Sequence, residues 1–397
     1  MGRPVASDCP ARPPSTRLGR RAALHLGRVA CALLLLAGSA TQAQVPDRFL
    51  DPSDGMLDLS RHLLEYKGIL PVPIIITEPA VGYGGGLVGI FFDQPLGDAL
   101  RTSLGETGKA VPPNMTAIGG FATENGSRGG LLGHFHTWEH DSYRYLGGIG
   151  KVELNLNFYG LLGKPRAYSL DSVALVQQLL ARVDRTNWFV GGRYVWAQAN
   201  PAFGAGWPGD LEGRPLQEVR IGLLSLVVDH DTRNNIFSPT EGHFVEAELG
   251  AASPDLGGTT SFQQAKIRGF NWQPLGRSVV LGLRGDLQTS SGDMPFFIRP
   301  YVGMRGIAAQ RYQDQNAAAA EAELWWMFNP RWSVLAFAGA GKAWGQRDDF
   351  QQAPSATAFG TGFRYLIART LGIHAGIDIA RGPQGNVIYL QVGSPWR

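Results

Sequence analysis

The sequence has almost no cysteine. Its only two, Cys9 and Cys31, lie near its start. The rest of the chain therefore has no disulfide framework, no thiolate metal site and no cysteine nucleophile. Charge is also sparse, at 17% of residues. No run of about 18 apolar residues, the length of a transmembrane helix, follows Ala43. So little charge is unusual for a soluble enzyme.

The first 43 residues have the pattern of a signal peptide. Five arginines between Arg12 and Arg28 precede the apolar run Val29–Ala37, and Thr41–Ala43 suits signal peptidase. We therefore predict an exported chain that is cleaved after Ala43. Without residues 1–43 the chain has 30 basic and 32 acidic residues. The basic pI thus belongs to the presequence, and no nucleic-acid partner is expected.

Glycine is abundant, at 53 residues, and apolar and polar residues alternate along many short segments. Val245, Ala247 and Leu249, for example, oppose Glu246 and Glu248. A soluble sandwich alternates too. Export, glycine content and strands of about 10 residues favour a transmembrane antiparallel β-barrel, with its apolar face toward lipid and charges in a wet lumen. The same pattern predicts that the apolar side chains of 151–158 face lipid. The predicted lumenal charges are Glu246, Glu248, Arg284, Asp286 and Arg364.

Sixteen candidate strands follow from this alternation, an even number as a barrel with both ends on one side requires. They lie near 72–77, 82–92, 114–124, 128–138, 143–159, 168–183, 187–200, 217–229, 243–251, 261–272, 278–289, 313–328, 332–345, 358–368, 371–380 and 386–394. We assign 44–70 to a short periplasmic arm with a small helix near Asp58–Tyr66, and 71–397 to the barrel.

Three motifs resemble the bacterial surface antigen family, the outer-membrane barrels related to BamA and TamA. Asp231, Arg233 and Asn234, followed by Pro239 and Gly242, resemble its periplasmic turn. The tetrapeptide Met304, Arg305, Gly306 and Ile307 resembles its loop signature. The last strand, with Tyr389 and Trp396, resembles the insertion signal that the barrel-assembly machinery reads, although Pro395 and Arg397 depart from it. The arm is too short for the repeated periplasmic (POTRA) modules of most members, so a compact member is expected.

The resemblance implies sixteen strands and a long extracellular loop that folds into the barrel, where its arginine meets an aspartate on the wall. Here Gly339 stands at the aspartate position. Glu321 and Glu323 share one strand face, opposite Leu324, so both should point into the lumen. Our hypothesis is that Glu323, helped by Glu321, pairs with Arg305. The alternative is that Arg305 is a solvated loop residue.

Enzyme and metal sites find little support in the sequence. It has no Gly-x-Ser-x-Gly and no His-Glu-x-x-His motif, and no serine is placed beside the candidate histidines His134, His136 and His374. Asp229-His230-Asp231 is a poor metal site, because successive strand residues point to opposite faces. We expect no enzyme, cofactor or metal. Aromatic girdles at the membrane interfaces are expected to hold Trp138, Tyr143, Tyr145, Trp272, Trp325, Trp326 and Trp332.

By resemblance, the expected function is membrane-protein insertion, or polypeptide or lipid movement across the outer membrane, through a weakly paired seam between the first and last strands. Pro395 is expected to weaken that seam. The alternatives are a passive channel and a structural barrel plugged by the loop. The expected partners are outer-membrane lipid, the barrel-assembly machinery, and a second copy or an unknown periplasmic protein.

Overall fold

The computed structural model describes residues 46–66, 68–99, 101, 111–159, 165–204 and 214–396. The described residues from 48 onward form one compact unit. The predicted signal peptide, residues 1–43, lies outside the described residues. Among the helices within those ranges, none has the length and hydropathy needed to cross a membrane.

Sixteen strands form one sheet, and each pairs antiparallel with the next in sequence. They are β1 (Ile69–Ile76), β2 (Gly84–Phe92), β3 (Met115–Thr123), β4 (Arg128–Trp138), β5 (Tyr143–Tyr159), β6 (Pro165–Arg182), β7 (Trp188–Phe203), β8 (Val219–Asp231), β9 (Gly242–Ala252), β10 (Phe262–Pro274), β11 (Val279–Gly292), β12 (Asn316–Met327), β13 (Trp332–Trp344), β14 (Ala356–Ala368), β15 (Ile373–Gly382) and β16 (Gly385–Val392). A short helix, α1 (Ser60–Glu65), precedes β1. The predicted all-β, sixteen-stranded antiparallel barrel is confirmed. We call the end where β1 begins and β16 ends the base, and the other end the top.

The two faces of the sheet follow the alternation of the sequence. On β9, Glu246 and Glu248 are buried, whereas Leu249 is 63% exposed. Arg193 of β7 crosses β8 on the inner side and binds both carboxylates. The charged row therefore lines the lumen and the apolar row forms the outer surface, as a barrel in lipid requires.

The connection between β11 and β12, residues 293–315, folds into the barrel, and we call it the inner loop. Its residues Met294 and Phe297 pack against Leu156 and Tyr168 in a buried core. The expectation that the apolar row of 151–158 faces lipid is therefore wrong. That row faces inward because the inner loop supplies an apolar surface inside the upper barrel, which strand alternation alone does not reveal.

A second buried core lies lower in the barrel and corrects the girdle prediction. Trp272 and Trp325 are only 5% and 6% exposed and pack there with Phe337 and Trp396. Trp138, Tyr143 and Trp326 are exposed on the outer surface, as an interfacial girdle would be. Aromatic residues near strand ends thus divide between the two faces according to strand register, which their spacing alone does not fix.

The turn between β8 and β9 contains the predicted periplasmic turn motif. Arg233 donates two hydrogen bonds to Asp231, at 2.9 and 2.7 Å. The side-chain oxygen of Asn234 accepts from the backbone N–H groups of Thr240 and Glu241. Gly242 has φ 95°, and a Cβ there would lie 2.3 Å from the carbonyl oxygen of Thr232. The motif therefore shapes the turn itself.

Pro239 of that motif is fully buried. It lies beside a small cavity at the base that is also lined by Trp272, Glu323, and Ser394 and Pro395, which follow β16. The turn thus supports the interior of the barrel as well as joining two strands.

The arm before β1 is bound to the base of the barrel through two arginines, Arg331 and Arg369. Arg331, in the turn before β13, donates to Asp51, Asp54 and Asp58 at 2.7, 2.7 and 2.6 Å. The backbone N–H of Leu59 also donates to the carbonyl oxygen of Ile367. The hydrogen bond from Arg331 lowers the pKa of Asp54 to about 2. The arm is therefore held by charge as well as by its backbone.

Replacing Arg331 by methionine should loosen this arm, because Asp58 then loses its cation and Asp51 and Asp54 keep only Arg369. Limited proteolysis should cut the variant within residues 51–58 faster than the wild type. Arg277→Met, at an exposed turn of the same end, is the control and should leave the cleavage rate unchanged. In the wild type, lowered carboxyl pKa values stabilise the bound arm at neutral pH. That stabilisation should be lost as the pH falls from about 4 toward 2. Equal cleavage of both variants would contradict this account.

Candidate functional site

The site is built around Arg305 of the inner loop, whose side chain is only 6% exposed. Gly306 has φ 82°, a backbone conformation that favours glycine, and it turns the loop at this point. Met304 and Ile307 pack in a buried cluster with Val302 and small side chains of the wall, including Ala317 and Ala358. The four signature residues thus act together: two anchor the loop, one turns it, and Arg305 reaches the wall.

Three carboxylates from two strands surround the Arg305 guanidinium. Its Nη2 donates to Glu321 Oε1 at 2.6 Å and to Glu323 Oε2 at 2.7 Å. Its Nε also donates to Glu321 Oε1, at 3.1 Å, and its Nη1 donates to Asp378 Oδ2 at 2.9 Å. Arg364 closes the cluster with two bonds to Asp378, at 2.6 and 2.9 Å. Two cations thus meet three anions in a buried site, where each group depends on the others.

The missing aspartate of the family motif has a geometric explanation. A Cβ built at Gly339 would lie 2.4 Å from Met304 Sδ, so the loop occupies the space that a side chain would need. The Arg305 guanidinium instead lies 3.6 Å from the centroid of the Phe337 ring, a cation–π contact. Asp378 of β15 supplies the aspartate contact from another strand.

The chain after β16 turns into the barrel, and we call residues 393–396 the tail. Gly393 N donates to the His374 carbonyl at 2.7 Å, and Ser394 N to the Phe237 carbonyl at 2.6 Å. Trp396 is 2% exposed, and its indole Nε1 donates to Glu321 Oε1 at 2.6 Å. The predicted last strand, 386–394, therefore ends at Val392, and Trp396 lies inside the barrel rather than on its surface. Whether Tyr389 and Trp396 form an insertion signal stays a prediction.

Both strands at the ends of the sheet are tied to the inner loop. On β16, the Tyr389 hydroxyl accepts from Gly306 N at 2.9 Å. In the turn that follows β1, Glu78 Oε1 accepts from Ala309 N at 3.0 Å. Burial raises the pKa of Glu78. Nothing in the sequence pointed to Glu78, because a contact between residues so far apart depends on the path of the loop.

The other predicted lumenal charges divide into two groups. Arg284 donates to the Gly303 carbonyl at 2.7 Å and to Asp286 at 2.6 Å, so this pair holds the inner loop. Glu246 and Glu248 bind Arg193 on another part of the wall. The structure thus brings Arg284, Asp286 and Arg364 to the loop, and leaves the two glutamates apart from it.

The sheet has an unpaired seam, since in the described part of the chain no ladder joins β1 to β16. An apolar cavity of about 1000 Å³ lies there, between β1 and the outer face of β14–β16, and we call it the seam cleft. Its lining includes Met56, Leu57, Val72, Ile74, Ile75, Trp332, Phe363, Tyr365, Ala375, Ile377 and Leu390. The seam thus opens on the apolar outer surface.

The three histidines considered for catalysis lie in different settings. On β4, His134 contacts Thr116 of β3, and His136 contacts Asn114, which directly precedes β3. His374 is packed edge-on against Trp325 inside the barrel. Across the described ranges, no group of three or more His, Asp or Glu side chains is placed to hold a metal ion.

The chain is similar to known proteins in part of its sequence and in its fold. Residues 221–370 match the sequence profile of the Omp85 superfamily domain. No curated protein sequence matches the chain. BamA from Haemophilus ducreyi lacking POTRA domains 1–3 has a similar fold, with TM-score 0.56 and 13% identity over 81% of this chain and 68% of that one.

Two CdiB barrels are similar as well. For CdiB from Escherichia coli the TM-score is 0.58 at 13% identity, over 81% of this chain and 61% of that one. For CdiB from Acinetobacter baumannii the values are 0.53 and 12%, over 82% and 59%. This chain thus spans less than two thirds of either CdiB, and the similarity is one of fold. The predicted resemblance to BamA-type barrels is confirmed as one of fold, and residues 221–370 match the Omp85 superfamily domain.

Proposed function

We propose that this chain is an outer-membrane transport barrel, not an enzyme, and that it moves a membrane-protein segment, a polypeptide or a lipid through the seam between β1 and β16. The inner loop is the latch that keeps the seam closed. The observation that carries this proposal is that the loop is hydrogen-bonded to both sides of the seam, through Glu78 after β1 and Tyr389 on β16. Movement of either strand therefore requires movement of the loop.

The Arg305 cluster supplies the strength of the latch. Removing one partner from a buried ion pair typically costs about 3–5 kcal/mol, because the remaining charge is left without compensation. Without Arg305, Glu321 and Glu323 would face each other with no cation between them. The loop therefore leaves its site only if these carboxylates gain water or another cation.

Glu321 couples the latch to the last strand. Its Oε1 accepts from both Arg305 and Trp396, and the tail that carries Trp396 continues directly from β16. Displacement of β16 would therefore pull on the same oxygen that holds the loop. This shared acceptor supports release of the loop and opening of the seam as one event.

Replacing Arg305 by methionine should open the barrel. The uncompensated carboxylates should expel the loop, and single-channel recordings in planar bilayers should show frequent openings where the wild type stays closed. Glu323→Gln should act in the same direction but more weakly, because Glu321 and Asp378 still hold Arg305. Arg193→Met, which removes a lumenal arginine bound to Glu246 and Glu248 away from the loop, is the matched control. A wild type that is already a steady open pore, unaffected by either change, would instead indicate a passive channel.

The shared acceptor makes a second prediction that separates two neighbouring glutamates. Glu321→Gln should loosen both the inner loop and the tail, whereas Glu323→Gln should loosen the loop alone. A hydrogen bond to a charged group contributes about 1.5–3 kcal/mol, so amide hydrogen exchange should become roughly tenfold faster or more in the affected segments. Unchanged protection of residues 393–396 in Glu321→Gln would show that the tail is not coupled to the latch.

A further inference from the structure

The free edge of β1 lacks the donors that strand pairing needs. In an antiparallel ladder, residues alternate between pairs that exchange hydrogen bonds and pairs whose backbone groups point to the other edge. Pro71 and Pro73 have no N–H, so their pairs with Gly89 and Leu87 on β2 are of the second kind. Both prolines therefore lie toward the seam, where a β16 strand or an incoming strand would have to pair.

A strand entering this seam would keep some backbone carbonyl groups without hydrogen-bond donors. Of the four β1 residues whose backbone points to the free edge, only Ile69 and Ile75 offer an N–H group. The carbonyl groups of an added strand opposite the two prolines would have no donor. In the hydrocarbon region each such group costs several kcal/mol, because no water replaces the missing partner. Prolines at sheet edges are a known device against strand addition.

The seam cleft, unlike the edge of β1, suits an apolar ligand, since its surface is apolar and a ligand there needs no hydrogen bonds. Ile75, Phe363 and Leu390 line it and are 56%, 42% and 43% exposed. Its volume of about 1000 Å³ is at the upper end of the usual range for ligand pockets. It is continuous with the outer apolar face, so it is accessible from the membrane.

Two aromatic residues give the seam cleft one polar end. Trp332 and Tyr365 lie at its base end, and the Tyr365 hydroxyl donates to the Leu57 carbonyl of the arm. Tryptophan and tyrosine sit at the headgroup level of a bilayer. The headgroup of a bound lipid therefore belongs near these two side chains, with its chain running toward Ile75 and Phe363.

We propose that the seam cleft is a lipid site that takes an acyl chain of a membrane phospholipid, and that the seam admits lipid rather than an added β-strand. The assignment of lipid as the transported class rests on the proposed function, whereas occupancy of the cleft does not. An experiment can therefore disprove the lipid site without disproving the latch, and the reverse.

The test uses the full chain in vesicles of phosphatidylethanolamine doped with a phosphatidylcholine that carries a diazirine on one acyl chain. After illumination, labelled residues are mapped by mass spectrometry. Labelling of 72–75 and 388–392 should exceed, several-fold, that of the exposed outer-face residues Leu249 and Ile267, which serve as the internal reference. Equal labelling of cleft and reference would overturn the proposal, whatever the conductance of Arg305→Met.

Two variants sharpen this test. Ala375→Trp fills the cleft and should reduce labelling of 72–75 to the reference level, whereas Leu249→Trp on the distant outer face should not. Pro71→Thr with Pro73→Thr restores two donors, so β1 can pair with β16 and exclude the lipid. Unchanged labelling in this double variant would overturn the edge argument. A further experiment places a photoreactive residue at position 75 of the otherwise unchanged chain and adds a peptide with the sequence of residues 385–392. Crosslinking of this peptide would overturn the choice of lipid.

Discussion

A guanidinium held inside a barrel needs anions around it, and this requirement organises the structure. Arg305 brings together Glu321 and Glu323 of β12 and Asp378 of β15. Because two of its partners also bind Arg364 and Trp396, the cluster extends from the inner loop to the last strands and the tail. A buried ion network stabilises little by itself, but it is expensive to break at one member. It therefore specifies one position for the loop.

That position matters because of where the loop is bonded. Its signature lies beside β16, and its following residues reach the turn after β1. The two strands that flank the seam are thus connected through the loop, and at the base through the arm, rather than through a ladder between them. The closed barrel depends on side-chain contacts that can be broken and re-formed, while the other strand pairs keep their backbone ladders. This division suits a gate more than a rigid channel.

Much of the architecture could be predicted from the sequence, because strand alternation, turn chemistry and chain length are local properties. Glu321 and Glu323 were found by their shared strand face, and Arg305 by its motif. Asp378 shares the polar face of its strand, but its distance from Arg305 depends on the register of four strands. The inward path of Trp396 and the contact of Glu78 depend on tertiary packing, so no local pattern indicated them. The apolar lumen near Leu156 was not predicted either, because it also depends on tertiary packing.

We infer that the Arg305 cluster holds the two sides of the seam together. Pulsed electron resonance between spin labels at Ile74→Cys and Leu390→Cys measures this directly, since residues 44–397 contain no other cysteine. We predict one narrow distance distribution in the otherwise unchanged chain, and a broader and longer one when Arg305→Met is added. The same distribution in both proteins would contradict it, because the loop could then leave its carboxylates without any effect on the seam.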